Sequence, residues 1–101
     1  MTFVTHDGPY IFNKSEDRIP PGGTLSFWVD GSAPPPYDDC AITVTAHGLT
    51  GLVSGPQFLE VIKTEIQTGP GPSERVLRCV VRNNGPRACP YTKVYIGVIR
   101  P

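Results

Sequence analysis

The chain has 101 residues, and its 11 Gly and 12 Pro are together about twice ordinary usage. Nine Lys and Arg balance nine Asp and Glu, which removes the simple electrostatic arguments for nucleic acid or a membrane surface. A single domain spanning 1–101 is expected at this length, and 26 Val, Ile and Thr against nine Ala and Leu disfavour a helical bundle.

Proline cannot donate to a strand ladder, so the prolines mark where central strands are not. The first predicted strand lies around Tyr10-Ile11-Phe12, and Thr2 to Thr5 can be added to it. After the connector Ile19-Pro20-Pro21-Gly22-Gly23, the run Thr24 to Asp30 alternates, with Leu25, Phe27 and Val29 on one face and Ser26 and Trp28 on the other. Gly31 to Pro36 forms a second connector. Ala41 to His47 sends Ile42, Val44 and Ala46 inward, and Gly48 to Pro56 follows as a loop. Gln57 to Ile66 also satisfies a helical spacing through Phe58, Leu59, Val61, Ile62 and Ile66. Strand is preferred there, because Val61, Ile62, Thr64 and Ile66 are β-branched and no capping residue precedes Gln57.

Beyond the Thr68 to Pro72 connector, Arg75 to Asn83 places Leu77, Cys79 and Val81 inward and Arg78 and Arg82 outward. Asn83-Asn84-Gly85-Pro86 signals a turn, lengthened by Pro86 beyond a two-residue hairpin. Tyr91 to Ile99 closes the chain with Val94, Ile96 and Val98 inward and Lys93, Tyr95 and Gly97 outward. Short alternating strands punctuated by Gly and Pro predict an all-β fold, an immunoglobulin-like antiparallel β-sandwich of six or seven strands.

Two stretches carry a family pattern. Pro21-Gly22-Gly23-Thr24-Leu25-Ser26-Phe27 is a Pro-Gly lead into a strand. The run Phe58-Leu59-Glu60-Val61-Ile62, then Val80-Val81-Arg82-Asn83-Asn84-Gly85-Pro86, then Val94-Tyr95-Ile96 is a strand, a V-x-N-x-G turn and a closing strand. Over about half the chain this resembles bacterial immunoglobulin-like modules of the CARDB and related adhesin-repeat type. The resemblance implies a non-catalytic adhesion or assembly module, usually on secreted chains.

No constellation of catalytic residues emerges. Gly51-Leu52-Val53-Ser54-Gly55 sets its serine one place too late for a nucleophile elbow, and the two histidines, His6 and His47, fall in a terminus and at an outward strand end. Asp38-Asp39-Cys40 lacks the ligand spacing of a calcium or zinc site, so neither metal nor cofactor is expected. Cys40, Cys79 and Cys89 permit one disulfide, either Cys79 to Cys89 across a hairpin or Cys40 to Cys89 between loops. Reduced thiols are the default, because residues 1–7 lack the features of a signal peptide. A cytoplasmic location follows by default, or secretion if a leader has been removed; only in the second case does the sequon Asn13-Lys14-Ser15 matter. No apolar run approaches ~18 residues, so membrane insertion is not expected.

The residues that suggest binding are exposed aromatics and cations. Trp28 and Tyr95 are predicted outward, and Tyr37 sits beside Asp38 and Asp39 among prolines; each ring offers apolar area with a polar edge. Residues 1–74 carry three positive and nine negative side chains, net −6, whereas 75–101 carry six positive and none negative, net +6. Arg78, Arg82 and Lys93 are predicted to make a basic hairpin, with Glu60 and Glu65 on a neighbouring strand able to pair with the arginines. The expected function is a non-enzymatic recognition or adhesion module with a protein or glycan partner. The alternatives are a small lectin that stacks a sugar on Trp28 or Tyr37 beside Asp38 and Asp39, and an assembly protein whose charged halves drive homo-oligomerisation.

Overall fold

The computed structural model describes residues 3–30, 39–48, 56–71 and 75–100. Among these residues six strands form an antiparallel β-sandwich: β1 (Phe3–Phe12), β2 (Thr24–Asp30), β3 (Ala41–Gly48), β4 (Leu59–Gln67), β5 (Val76–Asn83) and β6 (Thr92–Arg100). One sheet has the order β1-β6-β3 and the other β2-β5-β4. Consecutive strands β5 and β6 are therefore not a hairpin. Each is the central strand of a different sheet, and residues 84–91 carry the chain between them, as the lengthening effect of Pro86 suggests.

The alternation read from sequence becomes the two inner faces. Phe27, Val29, Leu77, Cys79 and Val81 from one sheet meet Val94, Ile96 and Val98 from the other, and all are buried. Full burial of Leu77 alone contributes about 1.5–3 kcal/mol. Phe12 of β1 packs its ring 4.7 Å from that of Phe27, joining the sheets on one side, while β3 lies against β4 on the other.

Strand β1 runs continuously through Pro9, which its edge position allows. The register slips between Asp7 and Tyr10, where Gly8 takes a φ of 98° and the Gly8–Pro9 peptide is cis. Gln57 to Ile66 resolves as strand: β4 pairs with β5 from Leu59 to Gln67, with a bulge at Ile62. A single-turn 3₁₀ helix at Ser15–Asp17 lies in the connector after β1.

One end of the sandwich is closed by connectors. Ile19 and Cys89 form an isolated antiparallel bridge, with Ile19 N–H donating to the Cys89 carbonyl at 3.0 Å and Cys89 N–H to the Ile19 carbonyl at 2.8 Å. Both side chains are fully buried. Pro20-Pro21-Gly22-Gly23 forms a turn closed by Gly23 N–H to the Pro20 carbonyl at 2.8 Å, and the φ of 75° at Gly22 explains the glycine there.

Asn83 locks this end. Its Nδ2 donates to the carbonyls of Ile19 at 3.0 Å and Arg87 at 2.7 Å, and its Oδ1 accepts from Gly85 N–H at 2.9 Å. Its backbone carbonyl also accepts from Gly22 N–H at 2.9 Å. The V-x-N-x-G segment thus holds a buried asparagine that ties two connectors together, with every amide atom satisfied.

The cysteines are free thiols: Cys79 lies in the core, Cys89 in the closed end and Cys40 half-buried before β3. The thiols are reduced, as the default reading has it, and the alternative bridge from Cys79 to Cys89 has no hairpin to form across, because β5 and β6 belong to separate sheets. The Cys89 thiol is instead placed to donate to Gln57 Oε1 at 3.1 Å and to the Tyr91 carbonyl at 3.3 Å.

Candidate functional site

Each sheet turns its second face to solvent, and the predicted binding residues divide between these two outer faces. On β2, strand alternation that buries Phe27 and Val29 drives Trp28 outward, where it is 55% exposed. Its register partner on β5 is Arg78, whose guanidinium carbon lies 5.3 Å from the centre of the indole. That geometry is a cation–π contact. Among the described residues the shielded Arg78 Nε has no hydrogen-bond partner, and the indole is the group stacked beside the guanidinium.

Arg82 stands two residue pairs further along the same face, between Thr24 on β2 and Glu60 on β4. The register also sets Glu65 directly opposite Arg78, as the expectation of cross-sheet pairing requires. The carboxylates are engaged elsewhere, however. Glu65 makes an ion pair with Lys63 at 3.4 Å, and Glu60 accepts from Asn84 Nδ2 at 3.4 Å. Both interactions are exposed and contribute at most a few tenths of a kcal/mol each. Trp28, Arg78 and Arg82 are thus assembled on one rigid face whose inner side is the core.

Lys93 and Tyr95 are carried by β6 on the outer face of the other sheet. Lys93 Nζ sits 5.4 Å from the centre of the Tyr95 ring, and His47 of β3 meets that ring edge-on at 5.8 Å. Tyr95 is 42% exposed, and the exposed Ile11 of β1 pairs with Lys93 across the strand boundary. Sequence reasoning did not include His47 in this group, although its position opposite Lys93 follows once β3 and β6 are paired. Gly97 completes the face: a Cβ there would stand 2.5 Å from Thr43 Oγ1, so the glycine makes room for the cross-strand threonine.

The basic hairpin is therefore corrected. Arg78 and Arg82 face one side of the sandwich and Lys93 the other, because the last two strands occupy different sheets. Asp39 is exposed, with a left-handed φ of 49°; Tyr37 and Asp38 lie outside the described residues. Among the described residues no three His, Cys, Asp or Glu side chains gather to hold a metal ion. No family model matches the chain, and no curated protein or solved structure matches it significantly.

Proposed function

We propose that the chain is a non-enzymatic recognition module whose binding surface is the outer face of the β2-β5-β4 sheet, centred on Trp28 and Arg78. The observation that carries this reading is an indole more than half exposed on a strand whose neighbouring residues are core, with a guanidinium stacked beside it. Trp and Arg are the side chains that most often dominate protein–protein interfaces, because each buries a large area at low entropic cost. Here the sheet and the cation–π contact already hold both groups in position, which reduces the cost of ordering them on binding. The mixture of aromatic, cationic and acidic groups on this face fits a protein partner better than a uniformly charged polymer. An immunoglobulin-like adhesion or assembly role of the CARDB kind is compatible with the same surface.

The test is selection of ligands from a random-peptide display library, run beside a printed glycan array, with both probed by wild type and Trp28→Ala. Peptides that bind wild type and lose roughly 30-fold or more in affinity on Trp28→Ala support the proposal, that loss corresponding to a hot-spot residue. Selected peptides that bind both proteins equally reject this face as the site. Binding confined to glycans, and lost on Trp28→Ala, would replace the protein-partner reading with the lectin.

A further inference from the structure

Strand β4 is an edge strand, and its second half does not alternate in burial. Every residue from Ile62 to Gln67 is exposed, including Thr64 and Ile66, which pair with the buried Cys79 and Leu77 and so lie on the inner-face parity. Among the described residues no strand pairs with the outer side of β4. A row of unpaired backbone N–H and carbonyl groups beside exposed isoleucines is a template for strand addition.

The sequence of this edge is self-complementary about Thr64, with a lysine and a glutamate flanking it and an isoleucine beyond each: Ile62-Lys63-Thr64-Glu65-Ile66. We propose that a second copy of this chain pairs with β4 in antiparallel register about a two-fold axis at Thr64. In that register Lys63 of each copy stands opposite Glu65 of the other and Thr64 opposite itself, with the bulged Ile62 beside Ile66 at either end. Every cross-strand pair is then favourable, and each occurs twice, as an isologous contact requires. Within one chain Lys63 and Glu65 already meet at 3.4 Å, which shows that the two side chains share the outer face, where they would meet their counterparts. A shift of one residue sets Lys63 against Thr64 or Ile66, and a shift of two sets lysine against lysine or glutamate against glutamate, so the sequence selects a single register.

The product is one six-stranded sheet in the order β2-β5-β4-β4-β5-β2, its two-fold axis perpendicular to the sheet. Both outer faces lie on the same side. The pairing does not depend on the recognition reading; where that reading holds, two Trp28–Arg78 surfaces are presented in parallel and binding becomes bivalent.

Sedimentation equilibrium over a concentration series tests the proposal with wild type, Lys63→Glu, Glu65→Lys and the double swap. Both side chains are about half exposed, so the variants are expected to fold, which circular dichroism checks. Wild type should dimerise, and each single variant, which sets like charges together twice per interface, should weaken the dimer on the order of tenfold. The double swap should restore it. Association through acidic and basic surface regions makes a different forecast: Lys63→Glu would strengthen it and Glu65→Lys would weaken it. That outcome overturns the proposal, as does a monomer at every concentration or a dimer indifferent to all three variants.

Discussion

Asn83 is the polar residue on which the closed end of the sandwich depends. Its side chain is 1% exposed and makes three hydrogen bonds, to Ile19, Arg87 and Gly85. Removing it strands the buried Gly85 N–H and takes one donor each from the Ile19 and Arg87 carbonyls, and a buried group left unsatisfied costs about 1–3 kcal/mol. Asn83→Ala is therefore expected to lose roughly 2–4 kcal/mol in urea unfolding, a large part of the stability of so small a domain. A loss below about 1 kcal/mol would show that the connectors hold without it.

Cys79 makes a second prediction, in pH. Burial in the core pushes its thiol from an ordinary value of 9.0 up to about 11. The unfolded thiol thus loses its proton at lower pH than the folded one. Its contribution is complete below about pH 9 and is lost as pH rises towards 11, a total of about 2–3 kcal/mol. Because tyrosines and lysines titrate in the same window, the measurement is a difference: wild type should lose more stability than Cys79→Ala between these limits. Parallel curves would contradict the assignment.

At the scale of elements, alternation carried most of the information. The inward sets of β2, β3, β5 and β6 follow directly from period-two patterning, and β-branching decided β4 over a helix. What the pattern could not supply was partnership. Arg82 to Lys93 reads as one hairpin in sequence, because hairpin and sandwich arch share the same turn residues; in the fold the two strands lie in separate sheets, and Ile19 pairs with Cys89 of the connector between them. Ile19 itself was hidden for the same reason, since an isoleucine before two prolines carries no periodicity that marks it as core. Pro9 had the opposite effect: it argued against a strand, whereas an edge strand with a bulge accommodates it. The exposed end of β4 was likewise invisible, because Ile66 has the parity of a core residue and is nonetheless exposed.

Across the whole molecule, segregation of charge along the chain becomes segregation between strands. The basic segment builds the two central strands, so Arg78 and Arg82 emerge on one outer face and Lys93 on the other, while Glu60 and Glu65 lie on the edge strand β4. Among the described residues the strands of the acidic and basic portions are interleaved, and the two faces differ in chemistry: indole and guanidinium on one, phenol, imidazole and ammonium on the other. Trp28, Arg78, Lys93 and Tyr95 were legible as outward residues from alternation alone, but their division into two surfaces required the sheet order.

Trp28 is the sole tryptophan, so emission excited selectively over the four tyrosines reports on the proposed surface. Iodide should quench the free protein strongly, because the ring is exposed and a cation stands beside it. The decisive measurement is iodide quenching of wild type with and without a peptide selected against it. The predicted result is a blue-shifted emission and clear protection of Trp28 in the complex; unchanged emission and quenching at saturating peptide would contradict recognition through this face.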